Sequence, residues 1–172
     1  MRRLAALAPV AALLALVILF AGYSLHRRAQ VTPTAMVGKP LPALILPRLT
    51  GDGTNASLTA LAKGPALVNL YASWCAPCLD EAPALMALKA EGVKIIGVAY
   101  RDAPSDAGAF LARHGDPYAA VLVDRDGRGG VELGVTGVPE TYAVDSAGVI
   151  RGKQTGPITA AGAESLLARA GR

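Results

Sequence analysis

The chain has 172 residues and a formal net charge of +4, from 17 basic and 13 acidic side chains. Arg2, Arg3, Arg27 and Arg28 flank an apolar stretch, and setting them aside leaves residues 29–172 with as many basic as acidic groups. The soluble part is therefore neutral, which excludes nucleic acid as a partner held on a basic surface.

From Leu4 to Leu25 no residue carries a formal charge. At roughly 1.5 Å per residue this run is long enough for a bilayer core of about 30 Å. Residues 1–25 are accordingly expected to be one N-terminal transmembrane helix, an anchor in the membrane through residues 4–25. A cleaved signal peptide is the competing reading. Its apolar core is usually about 7–15 residues and ends in small residues, whereas this run ends in Tyr23-Ser24-Leu25-His26-Arg27-Arg28. Arginines on both flanks leave the positive-inside rule only a weak vote on orientation.

Residues 26–37 are polar and unpatterned, as a linker is, and residues 38–172 suffice for one domain with a core. Gly38-Lys39-Pro40-Leu41-Pro42 is extended by its prolines, and Ala43 to Leu46 is a short apolar run. Thr50-Gly51-Asp52-Gly53 has turn chemistry, and Ser57 to Ala62 forms a brief helix. Ala66 to Tyr71 is a strand, too apolar on both faces to lie at an edge. Leu79, Ala82, Leu85, Met86 and Leu88 then recur at helical spacing; Pro83 should kink that helix, and Glu91-Gly92 stops it. Val93 to Tyr100 is a second buried strand, completing a βαβ unit with parallel strands. Ser105 caps a helix through Arg113, and Tyr118 to Val123 is a third strand. Gly134 to Glu140 is a loop, Thr141–Val144 and Gly148–Gly152 form an antiparallel hairpin, and Thr159 to Ala170 is a final helix. The fold class is α/β, a mixed central sheet with helices on both faces.

The chain's two cysteines, Cys75 and Cys78, fall between the first strong strand and its helix. The free amides and dipole of a helix N-terminus favour negative charge, so the first thiol is pushed toward its nucleophilic thiolate. The second, one turn on, can attack a mixed disulfide. A zinc site needs about four ligands, and beyond these two cysteines the chain offers only His26 and His114. A purely structural disulfide across a two-residue gap constrains little chain entropy. A disulfide to another chain has no support. Redox exchange, which needs no cofactor and no metal, is the reading that uses the spacing. Glu81 lies three residues after Cys78, on roughly the same helix face; it either relays the proton of the second thiol or is a first-turn acid favoured by the dipole. Trp74 either shields the site and offers surface to a substrate or is a core aromatic.

Several stretches together resemble the thioredoxin fold, and one branch of it closely. They are Val68-Asn69-Leu70-Tyr71-Ala72-Ser73-Trp74-Cys75, Glu81, Gly92-Val93-Lys94-Ile95-Ile96-Gly97-Val98, Asp116-Pro117-Tyr118 and Gly134-Val135-Thr136-Gly137-Val138-Pro139-Glu140-Thr141. That branch is the CcmG/DsbE family of membrane-anchored thiol:disulfide oxidoreductases of cytochrome c biogenesis. The resemblance implies that Cys75 attacks, Cys78 resolves, and Glu81 acts in proton transfer. It implies that Pro139 is a cis proline facing Cys75, with the Val138 backbone pairing to an extended substrate. Glu140 is then either an acid near the disulfide or a solvated loop charge. Asn69 departs from thioredoxin itself, where a buried aspartate on this strand assists the resolving cysteine.

The resemblance further implies a domain on the periplasmic face of a bacterial inner membrane, single-pass, reducing a disulfide in apocytochrome c or in a cytochrome c maturation protein that handles it. It implies re-reduction by a membrane thiol-reductant transporter acting as electron donor. Two alternatives stand beside it: a broader-specificity anchored thioredoxin-like reductase, and a non-catalytic module that holds thiol-bearing partners.

Overall fold

The computed structural model describes residues 12–19, 34–51 and 53–171. Residues 12–19 are helical with exposed side chains and belong to a unit separate from Pro33–Arg172. The rest of the expected span at 4–25 lies outside the described residues, and among the described residues no helix is long and apolar enough to cross a membrane.

Residues 34–38, at the end of the polar stretch, make a turn held by the Val37 amide on the Thr34 carbonyl (2.9 Å). Met36 packs against the core, and the Gly38 amide bonds to the Ile150 carbonyl at 2.7 Å. Strands β1 (Ile45–Pro47) and β2 (Asn55–Ser57) form a small antiparallel pair across the glycine-rich turn. Ser57 then caps α1 (Leu58–Leu61), its hydroxyl accepting from the Ala60 amide.

The main sheet contains β3 (Ala66–Tyr71), β4 (Ile95–Tyr100), β5 (Ala120–Asp124), β6 (Glu140–Val144) and β7 (Ile150–Thr155), in the order β5-β4-β3-β6-β7. The β3–β4 and β4–β5 pairs are parallel, and β3–β6 and β6–β7 antiparallel, so the sheet is mixed as expected. Every residue of β3 is buried, as befits its central place. Alternation sends Leu67 and Tyr71 to one face and Ala66, Val68 and Leu70 to the other.

The first face is covered by α2 (Ala76–Ala90), α3 (Pro104–His114) and α5 (Ala160–Ala170), which contribute Leu85, Leu88, Phe110, Leu111, Ala163 and Leu166. The second face is covered by Leu41 and Leu44 of the N-terminal segment, by α1, and by Leu133 after α4 (Arg128–Glu132). This is the thioredoxin-like architecture.

Four details differ from the sequence reading. Ser105 does not cap α3: Ala103 holds that position, Pro104 opens the helix, and no side chain caps it. Helix α4 falls where the sequence suggested no element, because Gly129 and Gly130 suppress a helical pattern. They are needed there, since Asp124 accepts both their amides and a Cβ at 130 would lie 2.3 Å from the Tyr100 ring. Strand β7 runs on through polar Lys153, Gln154 and Thr155, which an apolar criterion passes over. Met86 and Leu79, read as part of the apolar face of α2, are exposed instead.

Gly97 on β4 also has a steric role, because a Cβ there would stand 2.8 Å from Cγ and Cδ2 of the buried Tyr118 ring. That ring is tethered at its hydroxyl to Asn69 and cannot swing aside. Gly97→Ala is therefore expected to destabilise the fold by about 1–3 kcal/mol, read from urea unfolding; an unchanged midpoint would show that the ring yields freely.

Candidate active site

Strand β3 ends at Tyr71, and four residues later Cys75 occupies the N-cap of α2 in extended conformation (φ −93°, ψ 102°). Pro77 falls in the first helical turn, where a missing amide hydrogen costs nothing. Cys75 and Cys78 are joined by a disulfide. The Cys78 amide donates to Cys75 Sγ at 3.2 Å, so the sulfur takes the place of a capping oxygen. In the reduced protein the same amide and the helix dipole favour the Cys75 thiolate. Cys78 is the more deeply buried of the two.

One turn beyond Cys78, Glu81 is 1% exposed. Its Oε1 accepts from Asn69 Nδ2 at 2.9 Å, and its Oε2 from the Ile158 amide at 3.0 Å. Asn69 also donates to Thr141 Oγ1 (3.0 Å) and accepts from the Tyr118 hydroxyl (2.6 Å), so its amide is satisfied on both ends. Burial raises the Glu81 carboxyl above its ordinary value of 4.5, against the lowering pull of Ile158 and Asn69. A proton can thus reside on Glu81 at a pH where an exposed glutamate has lost it.

Trp74 is 60% exposed, with its indole Nε1 donating to the Arg101 carbonyl at 3.2 Å. It is not a core aromatic. The Val138–Pro139 peptide is cis. Val138 is half-buried and packs against the cluster that contains both cysteines, at the head of β6.

Glu140 falls on the other side of the sheet. On β6 it pairs with Leu70, while its neighbour Thr141 pairs with Asn69 and bonds to it, so alternation turns Glu140 away from Glu81. There its carboxylate meets Lys153 Nζ at 2.8 Å, with side chains 0% and 2% exposed. It also accepts from the Tyr142 hydroxyl (3.0 Å), the Thr136 amide (3.1 Å) and the Thr136 hydroxyl. Lys153 in turn donates to the Gly134 carbonyl at 3.0 Å. Glu140 is neither a solvated loop charge nor a neighbour of Glu81; the pair pins the loop from Gly134 to Thr136 that leads into the cis proline.

A family model described as Redoxin matches residues 36–167. The chain is 41% identical over 157 residues to the thiol:disulfide interchange protein DsbE of Allochromatium vinosum, covering 90% of this chain and 86% of that one. It is 42% identical over 127 residues to the thiol:disulfide interchange protein HelX of Rhodobacter capsulatus, covering 74% and 72%. The chain belongs to the Redoxin family, in its DsbE branch. Among solved structures it is similar to a thio-disulfide isomerase from Thermus thermophilus, with a TM-score of 0.66 and 25% identity over 78% of this chain and 96% of that one.

The protein is accordingly a thiol:disulfide oxidoreductase, and the Cys75–Cys78 disulfide is the oxidised state of its dithiol. Within this DsbE-type site, sequence reasoning singled out the cysteines and Glu81 but assigned no role to Tyr118 or Thr141. Their contribution depends on residues 49 and 72 positions from Asn69, and spacing along one helix carries no signal for that.

Two expectations follow. Glu81→Gln keeps the size of the side chain and removes the proton, so it should slow the step that frees or consumes the Cys78 thiol by about a hundredfold. It should also erase an ionisation above pH 4.5 from the stopped-flow rate profile; an unaltered profile would make Glu81 a packing residue. Lys153→Ala leaves Glu140 buried without its cation and should cost about 3–5 kcal/mol in chemical denaturation. A loss below about 1 kcal/mol, as at an exposed pair, would contradict the latch.

Proposed function

We propose that this oxidoreductase reduces disulfides in apocytochrome c, or in a maturation protein that presents it, so that both thiols are free for haem attachment. The observation that carries the reading is the dithiol at the start of α2 with a buried carboxyl, Glu81, one turn further along the same helix and held by Asn69, at the position where the resemblance sets an aspartate in thioredoxin itself. Support comes also from the stretches that resemble the CcmG/DsbE branch and from relatives named DsbE and HelX.

In the proposed cycle the Cys75 thiolate attacks a substrate disulfide and forms a mixed disulfide, expelling one substrate thiolate. Cys78 then gives its proton to Glu81 and attacks Cys75 Sγ. This closes the Cys75–Cys78 bond and releases the second substrate thiolate: the substrate gains two electrons and the protein becomes oxidised. Trp74, exposed beside the site, offers an apolar face to the substrate. The Val138 backbone, ahead of a proline that has no amide hydrogen, offers a short strand edge.

The domain assignment in this proposal is a membrane anchor at 1–25, a linker at 26–37 and the catalytic domain at 38–172. The anchor fixes the chain in a bacterial inner membrane with the domain in the periplasm. That compartment is oxidising, so a reductant there needs a supply of electrons, for which a membrane thiol transporter is the proposed donor.

Cys78→Ser removes the resolving thiol and should accumulate a mixed disulfide through Cys75 in native membranes, with the captured protein identified by mass spectrometry. Capture of a c-type apocytochrome or of a haem-handling protein is the expected result. Capture of many unrelated periplasmic proteins would favour the broader reductase, and an adduct on another residue would overturn the roles of the two cysteines.

A further inference from the structure

The two residues that follow β4 hold the two residues that precede Cys75. Asp102 is 5% exposed and belongs to no helix or strand. Its Oδ2 accepts from the Ser73 amide at 2.6 Å, and its Oδ1 accepts from the Ser73 hydroxyl at 2.9 Å and from the Ala103 amide at 2.9 Å. The preceding carbonyl, that of Arg101, accepts the Trp74 indole N–H.

This arrangement depends on an uncommon backbone. Arg101 lies at φ +48°, a left-handed conformation that residues bearing a Cβ seldom adopt. It is held there by its amide on the Asp124 carbonyl at 2.8 Å and by its guanidinium stacked 5.4 Å from the centre of the Tyr100 ring. Gly127 leaves room for it, since a Cβ at that position would stand 2.4 Å from Arg101 Nε. The turn directs one carbonyl and one carboxylate of consecutive residues at consecutive residues of the redox loop.

We propose that Asp102 is a positioning residue for the dithiol, fixing the Ser73–Trp74 backbone so that Cys75 Sγ stays within reach of the Cys78 amide. The Cys75 thiolate is favoured only while its sulfur keeps that hydrogen bond and its place on the helix axis. A loop freed at Ser73 lets the sulfur leave, and the thiol drifts back toward an ordinary cysteine. Charged residues on the segments adjoining this loop include Arg101 and Asp102 after β4, Asp80 and Glu81 on α2, Asp124 at the end of β5, which pairs with β4, and Asp116, whose field acts with that of Asp102 at Tyr71. Of these, Asp102 is the one whose side chain bonds the segment before Cys75. The inference rests on the dithiol chemistry alone and holds whatever protein the thiols act on.

Sign separates positioning from a plain charge effect. If Asp102 acted through its field, deleting its negative charge would favour the thiolate and lower the Cys75 pKa. If it acts by position, Asp102→Asn raises the pKa toward the free-thiol value of about 8.5. The experiment uses the reduced full-length chain in detergent. Thiolate absorbance is titrated, Trp74 emission is recorded, and exchange with oxidised glutathione is timed across pH. Asp102→Asn should raise the thiolate titration, slow exchange on the order of tenfold at neutral pH with recovery in alkali, and shift the emission of the protein's one tryptophan. Ser73→Ala, which removes only the hydroxyl bond, should move all three in the same direction by less, and the two changes should not add. An unchanged or lowered thiolate titration overturns the proposal, even with a lower melting temperature. Should Asp102→Asn fail to fold, Ser73→Ala decides by the same readings.

Discussion

The hydrogen bond from Asn69 Nδ2 to Glu81 Oε1 is the contact on which the site is built. It links the central strand to the redox helix, and the same Asn69 side chain reaches Thr141 on β6 and Tyr118 ahead of β5. Glu81 extends the chain of bonds to the Ile158 amide, just before α5. Two buried polar side chains thus join β3 and α2 to β6 and to the segments ahead of β5 and α5. A buried polar network is stabilising only when each member is satisfied, and here both ends of the amide and both carboxyl oxygens have partners.

An asparagine suits this place better than an aspartate for a physical reason. It supplies two donor hydrogens, one for Glu81 and one for Thr141, while its oxygen takes the tyrosine proton. A carboxylate at 69 has no hydrogen to give and would set a second negative charge against Glu81, a like-charge pair that neither group could leave. In the proposed cycle, an amide at 69 leaves the carboxyl of Glu81 on the helix as the group that carries the proton. It also has a cost in linkage. Because burial raises the Glu81 carboxyl, the fold retains a proton that the unfolded chain has released above pH 4.5. The stability contributed by this group is present below pH 4.5 and declines as pH climbs toward the folded value. The burial of Glu81 is thus maintained at some expense to the fold above that range.

Much of this was legible in the residues. The run Ala66–Tyr71 matched β3 to the residue, because a strand buried on both faces reads as an unbroken apolar string. The Cys75–Cys78 spacing and the helix behind it were equally plain, since both are local. Residues acting at a distance were not. Glu140 adjoins the proline and reads as a site acid, yet one step of strand alternation sends it to the opposite face and into an ion pair with Lys153. Asp102 carries no local signal and is buried against Ser73, because its partner lies 29 positions away. Helix α4 was hidden by glycines that its own packing demands. Local pattern fixes elements, while the faces of a sheet and the grip of one loop on another depend on register.

The central claim is that Glu81 and the Cys78 sulfur share one proton. It is tested most directly by following the Glu81 carboxyl stretch through a pH titration by infrared difference spectroscopy, in the oxidised and in the reduced protein. The account predicts a carboxyl that titrates above 4.5 in the oxidised form and moves further when reduction frees the Cys78 thiol one turn away. A carboxyl that titrates at its ordinary value, or identically in both redox states, would contradict it.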